Sequence, residues 1–137
     1  MKRYSQFHDG YFEGLWIDGT TVHVYLSTLE KERFIAVAEG TVALAAGGFR
    51  LGNLVFDVVT RDRDEIVLRD IEELYSLQDG PAGEAQGDRL LSKARQEGMT
   101  LLETTSSYGA TCMVLANSVG LLKRNEWLAR YLRGTVR

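Results

Sequence analysis

The first half of the chain alternates apolar and polar positions with the period of two that marks β-strands. The clearest unit is residues 10–17 and 20–27, two β-favouring runs separated by Asp18-Gly19. Asp-Gly suits a two-residue type I′ turn, because both turn positions need positive φ. That turn would fix the register. Ile17 would face Thr20, Leu15 would face Val22, and Glu13 would face Val24. Trp16–Thr21, Gly14–His23 and Phe12–Tyr25 would then pair on the opposite side of the sheet.

Arg33 to Glu39 is apolar in its middle and charged at its ends, and reads as a third strand after the charged turn 29–32. The small residues from Thr41 to Gly48 give no assignment. Asn53 to Thr60 predicts a strand with Leu54, Phe56 and Val58 on one face and Asp57 on the other, beside Val55 and Val59. Arg61-Asp62-Arg63-Asp64 is a charged turn. The spacing of Leu68, Ile71, Leu74 and Tyr75 then predicts a helix over about residues 67–77. Residues 78–87 hold three glycines and the only proline, and predict a flexible loop. A short helix over 88–97 is closed by Gly98. Residues 100–107 and 110–117 flank Tyr108-Gly109 as a second hairpin, and 124–133 predicts a last, amphipathic helix. The pattern has no internal repeat and no domain boundary. It predicts one α+β domain over residues 1–137: an antiparallel sheet of about six strands, with two or three helices packed on one face.

Composition changes this picture little. A chain of 137 residues, 45 % hydrophobic, buries enough surface to need no disulfide or metal. The net charge of −3 argues against nucleic-acid binding over the whole surface. The cations are uneven, however. Lys123, Arg124, Arg130, Arg133 and Arg137 crowd the C-terminal fifteen positions with one acid, Glu126. The single cysteine, Cys112, fits a reducing compartment. The first residues lack the apolar stretch of a signal peptide, and no apolar run reaches the roughly 18 residues of a membrane helix. A cytoplasmic protein without membrane partners is the expectation.

Few residues carry candidate chemistry. A carboxylate can orient an imidazole, so His8-Asp9 is a candidate general base, although Asp9-Gly10 also makes sense as a turn. His23 falls among Phe12, Trp16 and Tyr25, where it would either line a pocket or sit as a packed strand histidine. Two histidines and one cysteine at 8, 23 and 112 have no zinc-like spacing, and no phosphate-loop or calcium-loop pattern occurs, so neither metal nor cofactor is expected. Cys112 in an apolar strand reads as a small hydrophobe. Trp127 and Tyr131 among arginines would either contact nucleic acid or pack the last helix on the sheet.

Four short stretches carry a resemblance. They are Phe7-His8-Asp9-Gly10, Glu39-Gly40-Thr41-Val42, Gly52-Asn53-Leu54-Val55-Phe56-Asp57 and Ser106-Ser107-Tyr108-Gly109. Their order resembles small uncharacterised bacterial proteins of immunity-protein-like type, with an N-terminal F-H-D-G and a later G-N-x-x-x-D. The resemblance covers the strand-forming parts and not residues 78–87 or the C-terminal helix. It implies a bacterial cytoplasmic protein that neutralises a partner by binding it, and it carries over no catalytic residue.

The sequence therefore favours a protein-interaction module over an enzyme, acting by occlusion of a partner protein. The expected binding residues are His8, Asp9, His23, Asn53, Asp57 and Tyr108. Three alternatives stay open: a small-molecule binder or hydrolase using His8 with Asp9, or His23; nucleic-acid contact through the basic C-terminal helix; and a homodimer paired through a sheet edge.

Overall fold

In the computed structural model, which describes residues 1–134, the first hairpin sets the inside and the outside of a sheet that closes on itself. Its strands are β2 (Tyr11–Asp18) and β3 (Thr21–Ser27). The remaining elements are β1 (Lys2–Arg3), β4 (Arg33–Gly47), β5 (Leu54–Asp62), α1 (Leu68–Tyr75), α2 (Pro81–Gln96), β6 (Thr100–Tyr108), β7 (Thr111–Lys123) and α3 (Arg124–Leu132). Arg137, counted among the C-terminal cations, lies outside the described residues. All strand pairs are antiparallel. The order is β1-β5-β2-β3-β4-β7-β6, and β6 pairs back onto β5. The fold is thus α+β, with six strands in a ring and β1 laid beside β5.

The hairpin turns one residue later than Asp18-Gly19. Asp18 pairs with Thr21, Trp16 with His23 and Leu15 with Val24, so Gly19 and Thr20 form the loop. Gly19 takes φ +60, as the first loop residue of a type II′ turn requires. The register is offset by two from the one expected, and an offset of two keeps each side chain on its face. Val22, Val24 and Leu26 point inward; His23 and Tyr25 point outward. Phe12 is the exception. The extra residue Glu13 bulges β2 between Phe12 and Gly14, which turns Phe12 into the core instead of beside Tyr25.

The interior packs Phe7, Phe12, Val22, Val24, Leu26, Val55, Val58 and Leu102 against small residues such as Ala36, Ala38, Cys112 and Ala116. Small side chains on β4 and β7 leave room for these larger ones inside a six-stranded ring. Both strands run longer than expected. β4 absorbs the unassigned residues 41–47, and β7 extends past 117 to Lys123. They turn together where Gly40 (φ +63) and the extra residue Val42 interrupt the register. Inward positions on β7 change there from Ala116 to Val119 and Leu121.

The helices cover the outside in two places. α1 and α2 bury Ile71, Leu74 and Ala94 over Leu101, Met113 and Leu115. Arg61 fastens α1 to the sheet, reaching Asp70 at 3.0 Å and Glu103 at 2.7 Å, while Asp70 accepts the Val67 backbone N–H at the start of the helix. α3 buries only Trp127, over Ile35 and Val37. No helix among the described residues is long and apolar enough to cross a membrane.

Residues 78–87, expected as a flexible loop, are mostly the first half of α2. Pro81 takes the first helical position, where its missing N–H costs nothing. Gly83 and Gly87 lie where the helix passes close to other parts of the chain: a Cβ at Gly83 would overlap the Gln78 carbonyl, and one at Gly87 would press on Leu68 at 2.9 Å. These glycines mark close approach rather than flexibility.

A Gly→Ala change inside a helix ordinarily stabilises by about 0.5–1 kcal/mol. Gly83→Ala is expected to reverse that sign and cost about 1–3 kcal/mol through the clash. A fall in the urea unfolding midpoint checks it, and an unchanged or raised midpoint contradicts the close contact.

Candidate functional site

The chain reaches the outer face of β5 through a short 3₁₀ turn over Ser5–Phe7. Phe7 is fully buried and anchors the turn from inside. His8 follows, then Asp9 in the left-handed region (φ 61), then Gly10, where a Cβ would overlap the Ser27 carbonyl. The Asp9 N–H donates to Val55 O at 3.1 Å, and the Val55 N–H donates to Gly10 O at 2.9 Å. This tight reversal sets His8 against β5.

β5 is bulged at that point. Val55 and Val58 both point inward, which an unbroken strand forbids, and the extra residue Phe56 is turned outward with half its surface exposed. Phe56 thus lies on the face opposite to Val58, not with it. His8 holds it in place. The His8 Nδ1–H donates to the Phe56 carbonyl at 2.7 Å, and the two rings meet edge to face at 5.5 Å. Beside them runs a row of cross-strand neighbours, Tyr11, Leu54 and Tyr108, contributed by β2, β5 and β6. Tyr108 is 52 % exposed, and Leu51, in the adjoining loop, is 99 % exposed.

The expected site residues separate into three groups. His8, Asp9, Asp57 and Tyr108 do come together around Phe56. Arg3 Nε is 3.1 Å from Asp57, an ion pair, and His8 Nε2 is 3.8 Å from Asp9. The second distance is too long for a hydrogen bond. With Nδ1 committed to a carbonyl, His8 is not oriented by Asp9 as a general base needs.

Asn53 is a buried fastener. Its Oδ1 accepts from the N–H groups of Arg50 (2.7 Å) and Ala110 (3.0 Å), and its Nδ2 donates to Phe12 O at 3.3 Å. It joins the loop before β5, the turn before β7 and the start of β2.

His23 is sealed away. It has no exposed surface, stacks on Trp16 at 4.7 Å and meets the Trp127 edge at 5.3 Å. Its Nδ1–H points at Trp16 O, 3.2 Å away. Neither histidine lines the clefts beside the start of α3, at the α2 face or along β4 and β7.

The aromatics of α3 are spent on packing. Trp127 covers His23 and stacks on Tyr131 at 5.1 Å. Burial raises the Tyr25 phenol, Arg124 opposes that and Tyr131 adds to it. Cys112 lies inside the ring, where burial pushes its thiol up to about 12 and the Glu103 charge adds to the rise. Such a thiol is no nucleophile. No three His, Cys, Asp or Glu side chains among the described residues group as metal ligands would.

Sequence reasoning did not name Phe56, Tyr11 or Leu54 among the binding residues. Leu54-Val55-Phe56 is an unbroken apolar run, and nothing in it says which residue the bulge expels.

Asn53→Ala removes three buried hydrogen bonds, and is expected to cost about 2–4 kcal/mol in urea unfolding. A loss near zero contradicts the fastening role. Native Cys112 is expected to resist an aromatic disulfide reagent at pH 8 and to react on unfolding. Its folded pKa exceeds the unfolded value, so the unfolded chain loses the proton first and stability falls as pH rises from 9 towards 12. Cys112→Ala should flatten that part of the profile. Comparison with protein families, with curated proteins and with solved structures finds no match for this chain.

Proposed function

We propose that this protein is a protein-interaction module that docks a partner protein on the face centred on Phe56. The observation that carries the reading is the outward bulge at Phe56. A bulge that exposes a phenylalanine forgoes its burial, worth about 1.5–3 kcal/mol, and folds retain such features where they serve contact. The backbone that presents the ring is held by the His8 bond to the Phe56 carbonyl, and the imidazole meets the ring edge to face. An exposed aromatic next to the row Tyr11, Leu54 and Tyr108 has the make-up of an interface hot spot.

The surroundings favour a partner with an apolar pocket over a highly charged one. Arg3 pairs with Asp57, so the rim carries little unmatched charge beside that of Asp9. Selection would rest on shape and on desolvation of the ring. Occlusion of a partner's working site, as immunity-type proteins act, needs only such a surface and no catalytic group. The hydrolase alternative has less support, since His8 lacks an orienting carboxylate and His23 lacks access.

The test is a paired capture from the native host. Wild type, Phe56→Ala and the distant surface variant Leu132→Ala are each immobilised and compared. One protein should bind wild type and Leu132→Ala alike, with affinity for Phe56→Ala reduced about thirtyfold or more, the scale of a hot-spot residue. Equal capture by all three removes the reading. Thermal unfolding of Phe56→Ala should match wild type, since the ring contributes little to the core.

A further inference from the structure

At the end of the ring where α3 begins, four cations from two separate parts of the chain surround one cleft. Lys31 and Arg33 come from the turn between β3 and β4, and Lys123 and Arg124 from the junction of β7 with α3. Glu32, Asn125 and Leu128 complete the wall of a space of about 500 Å³, within the usual size of small-molecule sites. Such a cluster is unexpected on a chain of net charge −3.

The cations are held in place. Lys31 Nζ lies 3.4 Å from the centre of the Tyr11 ring, and the Arg124 guanidinium 5.2 Å from that of Tyr25. Lys31 keeps a left-handed backbone (φ 70) to take its position. Two carboxylates answer the four charges: Glu32 stands 3.4 Å from Lys123, and Glu13 stands 2.7 Å from Arg124. The Lys123–Glu32 pair is more than half exposed, so its attraction is weak. No carboxylate among the described residues lies within ion-pair distance of Lys31 or Arg33. α3 also begins at this cleft; its N-cap residue, Lys123, supplies no side-chain oxygen, while Asn125 Oδ1 accepts the Glu126 N–H at 2.9 Å and Glu126 is the one acid of the first turn.

We infer that this cleft binds a small molecule carrying a phosphate group. A multiply charged anion between Lys31, Arg33 and Lys123 satisfies the excess positive charge, and the arginine fork suits its paired oxygens. Half-exposed Leu128 offers an apolar seat for the rest of the molecule. The site shares only Tyr11 with the Phe56 face, and it stands whether or not a protein docks there.

Inorganic pyrophosphate is the probe. It is titrated into the full chain at constant ionic strength, followed by calorimetry and by backbone amide NMR. Saturable binding is expected, with shifts gathered at Arg33, Arg124 and Asn125. Lys31→Asn and Arg33→Ser should each weaken it about tenfold, while the remaining spectrum stays that of the folded protein. Asparagine is used because it tolerates the left-handed backbone at position 31. Three results overturn the inference: no saturable binding, binding that ignores both substitutions, or retention of a single-stranded oligonucleotide without any of pyrophosphate. The last would make the surface one for nucleic acid.

Discussion

A strand that hydrogen-bonds along both edges must satisfy two neighbours whose directions differ by the twist of the sheet. β5 carries that demand here. Along one side it pairs with β6 from Asp62 to Leu54; along the other it meets β2 at Leu54 and β1 at Thr60 and Val59. β2 pairs with it at that one position, and the N-terminal segment occupies the rest of that side, with Tyr4 N–H bonded to Val58 O and Phe7 buried beneath. Register irregularities at Glu13, Val42, Phe56 and near Ser107 bend strands that would otherwise stay open. Closure gives a reason for an extra residue in β5 at this point, but none for that residue to be an exposed phenylalanine, since a polar side chain would serve the bend equally.

What the chain discloses before folding depends on the range of the physics involved. Alternation across 21–27 is local, so the inward and outward sets of β3 follow from the sequence even though the turn slips by one residue. An offset of two leaves every side chain on its face, and His23 stays outward among Trp16 and Tyr25. The glycines and proline of 78–87 mislead because their local preference is for turns, whereas Gly83 and Gly87 answer to Gln78 and Leu68. Those neighbours become visible only once the helix is docked. The lengths of β4 and β7 are hidden for the same cause: small residues have weak preferences of their own, and the long pairing from Phe34 to Gly47 decides their state.

The polar candidates divide along the same line. His8 and Asp9 are brought to the outer face by a reversal four residues long, which F-H-D-G encodes nearby. Asn53 is different. An asparagine beside a glycine looks like a turn residue or a ligand-facing amide, yet its three bonds run to Arg50, Phe12 and Ala110, two of them 41 and 57 positions away. No short motif can announce a group that serves so distant a set. For His23 the aromatic neighbours left two roles open, a pocket wall or a packed strand histidine. Those neighbours close over it, because Trp127 arrives from the far end of the chain and takes the space.

That arrival also bears on how the molecule divides its surface. α3 rests on one buried side chain, so the helix adds little core, but it brings Lys123 and Arg124 to the turn that carries Lys31 and Arg33. If packing alone explained the helix, its first turn would have no reason to stand beside two further cations, since like charges at short range oppose docking. Glu13 and Glu32 offset part of that repulsion and leave the remainder directed at the cleft. The Phe56 face shows the opposite economy, with Arg3 matched to Asp57 and the apolar ring left uncovered. One surface presents an aromatic; the other is cationic and presents a hollow. A single docking event by a highly charged partner would suit the second and gain nothing from the first, which is why the two are better explained by two different occupants.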